Sequence, residues 1–153
     1  MLNSLLIGAV AGARSMTPLA AVSRAARRGQ FPLDNGAPDL LAHPVVGAGT
    51  LLMAAGEFAG DKMKSAPDRI VALGLAARLF TGAVAGAALA PRHHRYAAGA
   101  LGAAAAVAAS YLTFNLRIRA LRRYGQTATG LAEDALVLGA TAWIMSRARV
   151  AVA

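Results

Sequence analysis

Arg14, Ser15, Thr17 and Pro18 stand together inside an otherwise apolar stretch, GAVAGARSMTPLAAV, at residues 8–22. Arginine is a permanent cation whose planar fork of donors suits carboxylates and other anions. Pro18 has no backbone donor, leaves the Arg14 carbonyl without its helical partner, and disfavours helical geometry at Thr17. The hydroxyls of Ser15 and Thr17 are placed to satisfy freed backbone groups. These residues predict a broken or kinked helix with a cation at the break, facing the protein interior. The competing reading ends the helix near Arg14 and leaves the charge at a boundary with water.

Counter-charges are scarce, because the chain has only seven carboxylates. Asp34 and Asp39 lie among Pro, Asn and Gly and read as loop, and Asp68 reads as a helix cap. Glu57 and Asp61 are one helical turn apart and share a face, which makes them the expected partners of Arg14. Arg14, Ser15, Thr17, Glu57 and Asp61 are therefore the candidate polar site. Arg78, Asn115, Glu133 and Asp134 are secondary candidates. Glu133 and Asp134 fall in the first turn of the last apolar segment, where negative charge also stabilises a helix N-terminus, so two roles stay open for them.

The elements that must carry these groups follow from the charge spacing. The basic residues fall in short clusters: Arg24, Arg27 and Arg28; Lys62, Lys64 and Arg69; Arg92 and Arg95; Arg117, Arg119, Arg122 and Arg123; Arg147 and Arg149. The intervals between clusters approach the roughly 20 residues that cross about 30 Å of hydrocarbon. Hydrophobic residues make up 57% of the chain and charged ones 15%, more apolar and less charged than soluble domains. The expected architecture is all-α, a polytopic membrane protein in a single domain with about five transmembrane helices. The expected spans are 2–24, 40–59, 70–91, 96–116 and 130–148, the second being either a span or a re-entrant segment. An alanine-rich soluble bundle is the competing fold, but it needs a charged face on each helix. Residues 96–116 contain no Asp, Glu, Lys, Arg or His. In this setting a central arginine costs about 2.5–3.5 kcal/mol on insertion scales. A net charge of +9 invites a nucleic-acid partner, yet clusters at membrane spacing fit headgroup anchoring instead. No basic n-region precedes the first apolar run, so an uncleaved first span is expected.

Small residues indicate how such helices meet. GAVAGA occurs at 8–13 and again at 82–87, pairing Gly8 with Gly12 and Gly82 with Gly86. Gly56 and Gly60 form a third pair. In lipid, close backbone approach through such residues drives much of helix association. The strings RRGQ at 27–30 and RRYGQ at 122–126 each follow a small-residue helix and precede an acidic one. They suggest a 2+1+2 inverted repeat with a broken first helix, as in many transporters.

The blocks GARSMTPLA (12–20), GEFAGDKMKSAPDR (56–69) and LAED (131–134) resemble the signature blocks of a bacterial membrane family, domain-of-unknown-function family 4126. The blocks run through most of the chain. The resemblance implies a small multispan protein of the bacterial inner membrane and no established reaction. Where that family's later helix carries arginine or lysine, this chain reads SYLTFNLRIR, with Asn115 at the expected basic position.

No GxGxxG, Walker loop, GxSxG or HExxH string is present, and without cysteine there is no thiolate chemistry. His93 and His94 read as solvated loop residues. No enzyme, cofactor or metal is expected, and the expected partners are membrane lipids, a second copy or another membrane protein. Two functions fit: a transporter or channel-like protein for a small ion, solute or lipid headgroup, or a structural or assembly subunit packing against membrane proteins or lipids. Basic residues divide seven against seven across five spans; the arginine cluster at 117–123 places that loop, and with it the N-terminus, in the cytoplasm.

Overall fold

The computed structural model describes residues 1–60 and 72–148. Among them are six α-helices and no strand: α1 (Leu2–Ala13), α2 (Met16–Arg27), α3 (Pro44–Gly60), α4 (Ala72–Ala88), α5 (Arg95–Tyr124) and α6 (Gln126–Ala148). Short 3-10 turns at Asp39–Ala42 and Arg92–His94 precede α3 and α5. The all-α class stands. One helical stretch among the described residues, Arg92–Tyr124, is long and apolar enough to cross a membrane; α1, α3 and α4 are shorter apolar helices.

The first segment, expected as one span over 2–24 broken or kinked at 14–18, forms two helices that double back. Arg14 ends α1 in extended geometry, φ −138° and ψ 111°, and Ser15 restarts helical geometry. Pro18 then falls in the first turn of α2, where a missing N–H breaks no helical bond. Glycine contacts give the direction of each arm. A Cβ on Gly8 would lie 2.2 Å from the Gly102 carbonyl oxygen, and one on Gly12 would lie 2.5 Å from that of Ala106. Hence α1 runs parallel to α5. Gly82 meets Gly102 and Ala106 while Gly86 meets Ala98 and Gly102, so α4 runs antiparallel to both. The two GAVAGA strings thus pack on one face of α5.

The second arm returns to the end where the first began. Phe31, Ala88, Pro91 and Ala148 line one cavity of about 180 Å³, and Gly36 N donates to Ala90 O at 2.7 Å. The C-terminal ends of α2, α4 and α6 therefore gather beside the starts of α1 and α5. Met1 lies at the opposite end from residues 117–123, contrary to the expected placement of both on one side. On the second arm, Gly47 abuts Arg27 and Glu57 reaches Ser15, so α3 runs antiparallel to α2.

The RRGQ and RRYGQ strings stop their helices differently: Gly125, at φ 78° and ψ 171°, donates to Leu121 O in an ordinary helical bond. Gly29 (φ 61°) and Gly125 (φ 78°) are the positive-φ residues of the described chain. Gln30 N donates to Ala25 O and Gly29 N to Ala26 O, the bonding of a Schellman helix stop with basic residues in the last turn. The α2–α3 and α5–α6 pairs do run in opposite senses, but α2 has 12 residues and α5 has 30.

Ile7, Val22, Ala85, Val137, Ile144 and Met145 form the buried apolar centre. Leu52, Leu73, Phe80, Leu112, Leu136 and Trp143 face outward, each more than half exposed. Large apolar groups thus cover the outside as well as the inside.

Candidate functional site: a charged layer at the hairpin tip

The α1–α2 tip carries Arg14 into the interior, where it is 1% exposed. Its Nη2 donates to Asp134 Oδ1 on α6. Nη1 makes a long contact of 3.5 Å to the backbone carbonyl of Glu57, and the guanidinium lies 5.3 Å from the centre of the Phe58 ring. The cation is therefore held by a carboxylate, a carbonyl and an aromatic face together.

Glu57 does different work with its carboxylate. Oε1 accepts from Ser15 N at 2.8 Å and from Ser15 Oγ at 3.1 Å. Oε2 accepts from Met16 N at 3.0 Å. These N–H groups open α2 and have no partner within the helix. A carboxylate from α3 thus caps α2 at its positive end, and the cap and the Arg14 contacts share one site. Backbone N–H groups and a hydroxyl converging this way suit an anion, and the Glu57 carboxylate takes that place.

Two further polar groups reach the same level. Ser110 Oγ donates to Ala106 O at 2.7 Å and stands 3.3 Å from Gly12 O. Arg78 is 6% exposed on α4, one turn before Gly82, and the α4–α5 register sets it level with Ser110. Thr17 is also buried, and its hydroxyl has no hydrogen-bond partner among the described residues.

The expected site residues divide as follows. Arg14, Ser15, Thr17 and Glu57 come together at the tip; Asp61 lies outside the described residues. Asp134 stands against Arg14, while its neighbour Glu133 turns to Arg117 on α5, with Oε2 3.0 Å from Nη1. Asn115 is exposed and donates to Tyr111 O on its own helix. Gly8, Gly12, Gly82 and Gly86 are in close backbone contact, whereas Gly56 and Gly60 meet no described neighbour within 4 Å. His93 stands 3.7 Å from Asp34 on the exposed α4–α5 turn.

Sequence reasoning ranked Asp134 below Glu57 and passed over Phe58, Ser110's reach to α1, and the Arg117–Glu133 pair. A signal for Asp134 was available. Gly130, Asp134, Val137, Thr141 and Ile144 recur at three- and four-residue spacing and form the buried face of α6, which turns Asp134 inward and Glu133 aside.

Two cavities lie away from Arg14, one at the α4–α5 turn and one between α5 and α6. No curated protein and no solved structure matches the chain. The blocks that build the tip and its clamp, GARSMTPLA, GEFAG and LAED, lie within a match to "Domain of unknown function (DUF4126)" over residues 1–152, and the chain belongs to that family.

Proposed function

We propose that the protein is an integral membrane protein of transporter or channel-like type, with the hairpin tip as its anion-selective point. The membrane setting is supported by the outward-facing leucines, Phe80 and Trp143. It is supported also by aromatic–arginine pairs at both ends. Arg95 with Tyr96 and Arg147 with Trp143 stand at one end, and Arg123 with Tyr124 at the other. Tyr96 and Tyr124 are about 42 Å apart along α5, the thickness of a bilayer with its headgroups. On this scale α1 and α2 form a re-entrant hairpin, and its tip lies near mid-depth.

The observation that carries the reading is the carboxylate-capped start of α2 at that tip. Broken helices at membrane depth belong where protein or a cavity covers them, and half-helix N-termini at the midplane suit anionic groups. Buried ion pairs are poor stabilisers compared with apolar residues of like volume. The placing of one at this depth argues for use in handling charge. A small anion or acidic headgroup would compete with the Glu57 carboxylate for Ser15 N, Ser15 Oγ and Met16 N.

One observation favours the structural or assembly reading: Arg14 is 1% exposed and held by Asp134. Flux of chloride and acetate in proteoliposomes separates the two. The transport reading expects flux by the wild type and a loss of at least tenfold in Arg14→Gln protein that keeps its helix content. A wild type that moves neither anion, with Arg14→Gln protein that unfolds, gives the site to structure.

A further inference from the structure

Helices α5 and α6 join at Gly125 and diverge from it, leaving a groove of about 500 Å³ between them. Leu116 and Ala120 form one wall, Ala132 and Leu136 the other, and Tyr124 closes the end at the turn. Thr129 also lines the groove, and its hydroxyl is buried with no hydrogen-bond partner among the described residues. The turn end is strongly cationic. Residues 112–132 contain Arg117, Arg119, Arg122 and Arg123 and no Asp or Glu. Arg123 lies 5.6 Å from the centre of the Tyr124 ring, at the rim, while Arg117 is engaged with Glu133 inside it.

The shape of the groove selects its occupant. The lining from Tyr124 to Thr113 runs about 16 Å along α5, close to half of a hydrocarbon core about 30 Å thick. That is the reach of one acyl chain through one leaflet. We propose that the groove binds an acyl chain of an anionic phospholipid, whose phosphate rests at the Gly125 turn against Arg122, Arg123 and the Thr129 hydroxyl. The proposal rests on the membrane reading above, and is independent of whether the hairpin tip transports anything.

Native mass spectrometry of the full chain, released from nanodiscs of mixed phosphatidylcholine and phosphatidylglycerol, tests it. The expected result is one retained phosphatidylglycerol per chain, in preference to phosphatidylcholine. Retention should fall at least tenfold in Arg122→Gln/Arg123→Gln protein, whose altered side chains are exposed. In Ala132→Trp protein, where the groove is filled, it should fall for both lipids. Arg92→Gln, on the exposed opposite end, should leave it unchanged. Equal retention of the two lipids overturns the proposal, as does retention unaffected by the arginine pair, or a lipid-free dimer. Protein that never enters the nanodiscs refutes the membrane reading instead, which keeps the two failures apart.

Discussion

The two arms of the hairpin sit in unlike surroundings. Arm α1 lies on α4 and α5 through glycines and alanines, backbone against backbone, with carbonyl oxygens standing 2.2–2.8 Å from where a Cβ on Gly8, Gly12, Gly82 or Gly86 would be. Arm α2 is tied to its neighbours by polar groups: Glu57 at its start, Ser23 Oγ donating to Leu41 O further along, and the Arg14–Asp134 pair at the tip. Shape joins the first region, backbone packed on backbone. In the second, charged contacts add to the burial of Leu19, Val22 and Ala25, and on the transport reading a ligand's charge would exchange with them. Arg14, in extended geometry, divides the two arms.

Removing the charge clamp should have the largest effect. Asp134→Ala leaves a buried guanidinium without its carboxylate and should lower stability in detergent by about 3–5 kcal/mol. The Arg14→Met/Asp134→Leu double variant should regain most of that loss in the same denaturation assay. If it does not, the tip is held by more than charge and the contrast between the arms weakens. Next comes the shape-joined region: Gly8→Ala presses a methyl on the Gly102 carbonyl and should cost about 1–3 kcal/mol. Its thermal unfolding should worsen whatever the salt or anion present. Glu57→Gln comes third, with a loss of about 0.5–2 kcal/mol from the weakened cap on α2. Hydrogen exchange should then quicken at Ser15 and Met16 and not along α1. The smallest effect has the opposite sign. Gly56→Ala meets no described neighbour and should gain up to about 1 kcal/mol of helix propensity. A marked destabilisation there would mean that α3 packs on another chain.

How much was legible in the sequence depended on how local the cause was. The all-helical class follows from composition and periodicity, and the family from blocks spread along the chain. The stop between Ala13 and Met16 follows from Pro18 and its neighbours, a matter of adjacent residues. A kink and a reversal carry the same local signals, however. The difference is one residue's extended geometry and where the second arm finds its contacts, so the expected helix over 2–24 is a hairpin. The Arg14–Asp134 pair joins residues 120 positions apart, and only the α1–α6 packing brings them together. Glu57 was read as a counter-charge to Arg14, because sequence shows a carboxylate and not which donors it meets. RRGQ and RRYGQ were read as a repeat; like letters there carry unlike stops, a Schellman pair of bonds at Gly29 and an ordinary helical bond at Gly125.

In the membrane reading the chain enters and leaves by the same face, with Arg14 at the turn. The natural chain has no cysteine, so single cysteines report cleanly. Leu2→Cys, Arg28→Cys and Arg122→Cys proteins, oriented in sealed vesicles, should be labelled with a membrane-impermeant maleimide added to either side. The account predicts that positions 2 and 28 react from one side and position 122 from the other. Labelling of positions 2 and 28 from opposite sides would contradict it, and the first segment would then cross the membrane as a single span.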